Sequence, residues 1–207
     1  RKLMNRFLNF LSNILILGFA SISFLVHNKD FGTEIPMFRE FTIFFPLIIL
    51  LIFLFKAYSR WGKLKLVKKK DGYNISQIGW KKAFTYEVLP FFIFIPLSFM
   101  LLLFVEDTTF FIITLYLLVF EGLFFMKVGK KTFKMVLTDQ ALIILNNNQH
   151  FIFWAKIKMI SFQQKGMVIL LKNKRQIYVG ESDFENFLIW KKKIEKESMS
   201  KGIYIQN

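Results

Sequence analysis

Residues 88–126 read VLPFFIFIPLSFMLLLFVEDTTFFIITLYLLVFEGLFFM, and this stretch decides the class of the fold. Its charged residues are Glu106, Asp107 and Glu121. A helix of about 20 apolar residues spans the hydrocarbon core of a bilayer. The adjacent acids divide the stretch into two such segments, Val88–Val105 and Thr108–Met126. The sequence therefore predicts a tight hairpin of two transmembrane helices.

Two further apolar segments precede this hairpin. Phe7–Val26 carries no charge and has the length of one membrane crossing. It is longer than the apolar part of a signal peptide, so we expect a retained helix. Phe41–Phe55 is shorter, but Lys56 can extend its ammonium group to the lipid headgroups. The four segments together predict a membrane α-helical protein with four transmembrane helices.

The composition agrees with a membrane protein and excludes several kinds of chemistry. Of the 207 residues, 54% are hydrophobic and 28 are Phe, and the mean hydropathy is +0.41. Cysteine is absent, which excludes disulfides, thiolate metal sites and cysteine nucleophiles. The sequence contains no phosphate-binding loop, dinucleotide fingerprint, zinc-protease motif or nucleophile elbow. We therefore expect no enzyme activity, no cofactor and no bound metal.

The distribution of charge predicts the topology. Residues 1–6, 56–87 and 127–207 carry net charges of +3, +7 and +9, while residues 27–40 and 106–107 carry −1 and −2. Basic residues are enriched in cytoplasmic loops. The alternation predicts that both termini and the 56–87 loop are cytoplasmic, and we expect the cytoplasmic (inner) membrane of a bacterium.

The tail after Lys127 changes from a helical period to short alternating segments that are typical of β-strands. Asn and Gly residues between them favour chain reversals. The predicted strands are Phe133–Leu137, Ala141–Leu145, Phe151–Trp154, Ile157–Phe162, Met167–Leu171 and Gln176–Val179. The predicted reversals are Asn146-Asn147-Asn148, Lys165-Gly166 and Lys172-Asn173-Lys174.

The 56–87 loop contains a predicted hairpin, with Leu64–Val67 and Tyr73–Ile75 on either side of the Asp71-Gly72 turn. Because an isolated two-stranded ribbon is marginally stable, we expect it to join the sheet of the tail. The last two transmembrane helices are then inserted into a single cytoplasmic β-domain.

A helix is expected at the end of the chain. Ser182-Asp183-Phe184-Glu185 has the spacing of a capping box, and apolar residues follow at helical intervals. The predicted organisation is a first helix pair over residues 1–58, a basic loop over 59–87, a second helix pair over 88–126 and a cytoplasmic α+β domain over 127–207.

The order of these elements resembles bacterial pleckstrin-homology-like (PH-like) membrane proteins, especially the YcxB-like group. The resemblance covers residues 133–195. It rests on Leu137-Thr138-Asp139, Ile143-Ile144, Phe153-Trp154, Val168–Leu171, Ile177-Tyr178-Val179, Phe184 and Phe187. It implies a small PH-like β-barrel closed by a C-terminal helix, and it implies no catalytic residues.

Glu121 is a candidate intramembrane contact because a carboxylate inside a span is costly unless it is paired or hydrated. One interpretation is a contact with an ion, a proton or a partner helix. The other is a local interaction in which Glu121, near the cytoplasmic end, reaches Lys127 or Lys130.

A second set of candidates is expected to contact the membrane surface. Lysines near a bilayer are attracted to anionic lipid, and tryptophan favours the headgroup region. The alternative is ordinary topology-determining charge. The candidates are Trp61, Lys63, Lys65, Lys68, Lys69, Lys70, Trp80, Lys81 and Lys82.

These features favour a non-catalytic accessory or scaffolding subunit of a membrane assembly. The expected partners are membrane lipids and other membrane protein subunits, or further copies of this chain. Nucleic acid is not expected, because the lysines of the tail are interleaved with acids. Two alternatives are protection against a membrane-active peptide and a component of a small oligomeric transporter.

Overall fold

The computed structural model describes residues 2–27, 37–89, 91–105, 108–146, 149–163 and 165–206, and the chain forms two compact units. The apolar unit comprises Arg1–Trp61 and Val88–Phe124, and the sheet unit comprises Gly62–Glu87 and Phe125–Asn207. The predicted turn at Glu106-Asp107 lies outside the described residues, and so do the last two residues of the predicted reversal Asn146-Asn147-Asn148.

In the described parts of the two units we find six α-helices and eight strands. The helices are α1 (Lys2–His27), α2 (Phe38–Lys68), α3 (Gln77–Val88), α4 (Phe91–Phe104), α5 (Thr109–Thr132) and α6 (Phe187–Ser200). The strands are β1 (Tyr73–Asn74), β2 (Lys134–Leu137), β3 (Ala141–Ile144), β4 (His150–Phe153), β5 (Ile157–Gln163), β6 (Gly166–Leu171), β7 (Gln176–Gly180) and β8 (Tyr204–Gln206).

Three helical segments of the described chain are long and apolar enough to cross a membrane. They are Glu40–Lys68, Gln77–Phe104 and Thr109–Thr132, and Asn13–His27 is a shorter apolar helix. The prediction of long apolar helices is thus confirmed, while the count of four membrane crossings stays a prediction.

Phe19 lies at the centre of the apolar unit. It is fully buried, and its ring stacks on Phe41 and Phe45 of α2 and on Phe111 of α5, with ring centroids 4.2–5.5 Å apart. Stacked and tilted aromatic pairs add to the free energy of apolar burial. Helix α1 is therefore part of the packed core of this unit.

The sheet unit contains two four-stranded sheets with the orders β1-β2-β3-β4 and β7-β6-β5-β8. Neighbouring strands are antiparallel except β5 and β8, which are parallel. All six strands predicted in the tail are present within one residue of their expected ends. In the described residues the two sheets do not close into a barrel, so the PH-like barrel stays a prediction.

The 56–87 segment joins the sheet of the tail, as expected, but not as a hairpin. Tyr73 pairs with Met135 and Asn74 with Lys134. The predicted strand Leu64–Val67 is wrong, because these residues form the last turns of α2. Leu64 and Val67 are both buried. Their spacing of three residues places them on one helical face, so the pattern that favours a strand also suits a helix.

The beginning of α6 also differs from the prediction. The helix starts at Phe187 after Asn186, which has a left-handed conformation and gives no side-chain cap. The residues of the predicted capping box instead form a turn, in which Phe184 bridges to Ile75. Tertiary contacts with the 73–76 segment thus replace the local capping interaction.

Strand β8, which the sequence analysis missed, depends on the end of α6. The amide of Ile203 donates to the Ser198 carbonyl at 2.9 Å, and that of Gly202 donates to the Met199 carbonyl at 3.1 Å. Together with the positive φ of 66° at Gly202, these bonds form a Schellman motif. The motif reverses the chain and directs Tyr204–Gln206 alongside β5.

Candidate functional site

Glu121 of α5 is bound by two consecutive residues of α2, and we call these three residues the Glu121 cluster. Arg60 donates from Nε to Glu121 Oε1 at 2.9 Å and from Nη2 to Oε2. Trp61 donates from Nε1 to Oε1 at 2.7 Å. The guanidinium thus binds the carboxylate through two bonds, the geometry in which an arginine–carboxylate pair is strongest.

The Glu121 cluster is partly buried. The side chains of Arg60 and Glu121 are 22% and 17% exposed, and the Trp61 ring packs on Phe124 with centroids 5.6 Å apart. Pairing the two charges lowers the cost of placing the carboxylate in an apolar helix. The arrangement therefore fixes the register of α2 against α5, and the salt bridge is made with Arg60 rather than with Lys127 or Lys130.

Sequence reasoning missed Arg60, although the chain offered a signal. Arg60 is one of five arginines in a sequence whose other strong bases are all lysine. Arginine provides a planar pair of donors that lysine lacks. An arginine next to an interfacial tryptophan is therefore a candidate partner for the acid in a neighbouring span.

The two candidate tryptophans are both engaged within the protein. Trp61 belongs to the Glu121 cluster, and Trp80 of α3 donates from Nε1 to the Met126 carbonyl at 3.1 Å. The ammonium group of Lys130 lies 5.2 Å from the centroid of the Trp80 ring. Hydrogen bonds from both indoles therefore contribute to packing within a unit.

The candidate lysines differ in exposure and in their contacts. Lys63 is half-buried, and Lys82 donates to Asp183 Oδ1 at 2.9 Å while remaining 53% exposed. The others are exposed: Lys65, Lys68, Lys69, Lys70 and Lys81. Whether they contact lipid stays a prediction.

Lys82 takes part in a joint between the start of α3 and the turn after β7. Ser76 donates from its amide to the Asp183 carbonyl at 3.0 Å, and its hydroxyl donates to the Ser182 carbonyl. The same hydroxyl accepts from the Gly79 amide at 2.9 Å, so Ser76 also caps α3. Ser76 thus lies between β1 and α3, caps the helix and bonds residues 73–82 to the tail.

Lys134 of β2 makes a second link between these parts of the chain. Its Nζ donates to the Lys70 carbonyl at 2.9 Å and lies 3.4 Å from the Lys68 carbonyl. The last carbonyls of a helix lack intrahelical partners and carry partial negative charge. Lys134 therefore caps the C-terminal end of α2.

Replacing Lys134 with Met should lower the free energy of unfolding by about 1 kcal/mol, because the carbonyls at the end of α2 lose a charged donor. The measurement is denaturant unfolding of the detergent-solubilised protein. Lys158→Met is the matched control, since Lys158 is exposed on β5. Equal stabilities of the two variants would show that Lys134 does not act as a cap.

Comparisons with known proteins found no match for this chain: no family model matches it, and no curated protein does. Within the described residues, no group of three or more His, Asp and Glu side chains could hold a metal ion. What the geometry offers is pairing between helices and exposed surface.

Proposed function

We propose that the protein is a non-catalytic integral membrane protein that carries a cytoplasmic PH-like module and acts as an accessory or scaffolding subunit of a membrane protein assembly. In this proposal the chain crosses the inner membrane of a bacterium four times. Both termini and the sheet unit lie in the cytoplasm.

The composition of the sheet unit from two chain segments supports this topology. Residues 62–87 and 125–207 form one compact unit, although α4 and most of α5 lie between them in sequence. The Ile75 amide donates to the Phe133 carbonyl at 2.9 Å, next to the β1–β2 pairing. This composition supports a membrane hairpin that leaves and returns on one side. This agrees with the net charges of +7 and +9 on the two basic regions.

The packing of α1 supports a fourth crossing. Phe19 is buried among rings of α2 and α5, and Ile16 and Ala20 belong to the same core. A helix that supplies the centre of an apolar core has to share the depth of the helices that surround it. We therefore include α1 among the crossings.

The order of strands supports the PH-like part of the proposal. Two sheets of mainly antiparallel strands are followed by a helix that buries Trp190 and Ile194. Antiparallel strands followed by a C-terminal helix are one part of what the resemblance implies, the closed barrel being the other, and β8 lies beyond that helix.

The role as a subunit is supported mainly by the exposed edge of the first sheet. Strand β4 is the last strand of that sheet, and Phe151 and Phe153 are exposed on it. An edge strand with exposed apolar residues is a template for pairing with another chain. A strand or helix of a partner subunit, or of a second copy, would cover the two rings.

The test is affinity purification of the tagged protein from native membranes in a mild detergent, followed by mass measurement. We expect a complex larger than one chain. Replacing both Phe151 and Phe153 with Lys should reduce the amount of recovered partner at least tenfold. A tenfold loss corresponds to about 1.4 kcal/mol of binding free energy.

Met199→Lys provides the control, because it adds charge at a residue that is 69% exposed on α6. Recovery of the wild-type protein as a lone monomer would contradict the proposal. So would equal loss of the partner in the edge variant and in the control.

A further inference from the structure

Helix α3 has one face buried in the sheet unit and one face exposed. Gly79 and Ala83 are buried, and Trp80 is half-buried. The opposite arc follows the spacing i, i+4, i+7, i+11 from Ile78 to the residue just after the helix. Its exposed members are Ile78, Lys81, Lys82, Thr85, Tyr86 and Leu89, which we call the outer face of α3.

The outer face combines large apolar groups with positive charge. Ile78, Tyr86 and Leu89 are each more than half exposed, and Lys81 and Lys82 lie between them. Tyrosine side chains favour the headgroup layer of a bilayer, and lysines near its surface are attracted to anionic lipid. In water these three apolar side chains would stay hydrated and would contribute no free energy of apolar burial.

Only a few residues of the chain separate the end of the outer face of α3 from the apolar helix α4. Helix α4 begins at Phe91, and a chain of five residues reaches at most about 17 Å, so Tyr86 lies within that distance of its start. Lys68, the last residue of α2, is farther from an apolar segment, since it lies roughly 20 Å along the axis of α2 from Phe55.

We propose that the outer face of α3 lies in the headgroup layer of the membrane and binds anionic phospholipid headgroups. The apolar side chains enter the boundary with the acyl chains, and the ammonium group of Lys81 contacts lipid phosphate. Lys82 shares its charge with Asp183, so Lys81 is the main basic group of this surface. The inference rests on the proposed membrane crossings and adds the lipid class that the sheet unit recognises.

The chain contains no cysteine, so single cysteines can report the depth of this face. The experiment attaches an environment-sensitive fluorophore to Tyr86→Cys in the full chain. The protein is reconstituted into vesicles of phosphatidylcholine or of an equal mixture with phosphatidylglycerol. Lipid-borne spin labels and aqueous iodide serve as quenchers. Lys69→Cys is the aqueous reference, and Leu103→Cys, which is 76% exposed on α4, is the acyl-chain reference.

We expect a blue-shifted emission at position 86 in the anionic vesicles, with lipid quenching several-fold stronger than at position 69. Lys81→Gln should reduce the ratio of membrane-docked to undocked α3 about fivefold in anionic vesicles. A fivefold change corresponds to the attraction of about 1 kcal/mol between one lysine and an anionic lipid surface. In phosphatidylcholine vesicles the same substitution should have no effect.

Other outcomes overturn the inference in distinct ways. If position 86 is as accessible to iodide as position 69 while position 103 is in lipid, the outer face does not bind the membrane, and the proposed crossings stand. If position 103 is also aqueous, the proposed crossings fail as well. Protection of position 86 from both quenchers would assign the face to a protein partner, and equal behaviour in both lipids would exclude anionic headgroups.

Discussion

Glu121→Gln should lower the free energy of unfolding of the detergent-solubilised protein by about 3 kcal/mol, because it leaves the partly buried Arg60 guanidinium without its carboxylate. Arg60→Gln should have a similar effect through the unpaired carboxylate. The double variant should be less damaging than the sum of the two single changes. The coupling energy of the cycle should be about 2 kcal/mol, within the range for residues in direct contact.

A longer ion pair within one helix of the same chain provides the control for this cycle. Lys191 and Glu195 lie one turn apart on α6, with Nζ and Oε1 separated by 3.9 Å. Pairs of this kind contribute about 0.3–0.5 kcal/mol, so Glu195→Gln should have little effect. A coupling energy for Arg60 and Glu121 no larger than that of the α6 pair would show that the Glu121 cluster does not hold α2 against α5.

The Glu121 cluster also shows where sequence reasoning reaches its limit. Local hydropathy predicts the apolar segment that contains Glu121. It also predicts that the carboxylate needs a partner there, because an unpaired charge in an apolar helix is costly. The identity of the partner depends on a contact between residues 61 positions apart, which local pattern does not encode. Lys127 and Lys130 are nearer in sequence, but Arg60 is the partner in the folded chain.

The strands of the tail were predictable for the opposite reason. Alternation of buried and exposed residues is a local property, and the turn residues between Met167–Leu171 and Gln176–Val179 mark the reversal. Asn173 accepts from the Arg175 amide there, and Lys174 has a φ of 62°. Strand β8 escaped prediction because its three residues gain their strand conformation from pairing with Met159–Ser161.

The start of α3 combines both situations. The 73–75 strand was predicted, whereas the helix that follows was not. Its N-terminal cap is the Ser76 hydroxyl, which resembles an ordinary loop residue in the sequence. The decisive contacts come from Ser182 and Asp183, more than one hundred positions away. Prediction therefore succeeded for strands with a local alternating pattern. It failed for α3, whose start is held by hydrogen bonds to Ser182 and Asp183 of the tail.

Gly79→Ala should destabilise the sheet unit by about 3 kcal/mol or more, through overpacking of a tightly packed position. A Cβ at residue 79 would overlap the Asp183 carbonyl oxygen and would lie 2.8 Å from Asp183 Cα. Both obstacles are backbone atoms, which a rotamer change cannot move. The Ser76 amide also donates to the Asp183 carbonyl, so the joint must open before α3 can accept the methyl group.

Gly62→Ala is the matched control for this prediction. Gly62 lies in α2, and a Cβ there meets nothing within 4 Å. Because alanine favours a helix over glycine by about 0.5–1 kcal/mol, this variant should be slightly more stable than the parent. The two substitutions add the same methyl group. We expect effects of opposite sign on stability because only residue 79 is packed against another part of the backbone.

The measurement is the thermal midpoint in detergent together with limited proteolysis of residues 70–87. For a chain of this size, a loss of 3 kcal/mol corresponds to a midpoint lower by roughly 6–12 °C. Gly79→Ala should also accelerate cleavage in the basic loop, because the loop is released when its contact with Asp183 is lost. If Gly79→Ala instead matched Gly62→Ala in both readouts, residues 62–87 would not be held against the tail through Asp183. The β1–β2 pairing, the Ile75–Phe133 bond and the Lys134 cap would then be the contacts that join the two ends of the proposed membrane hairpin.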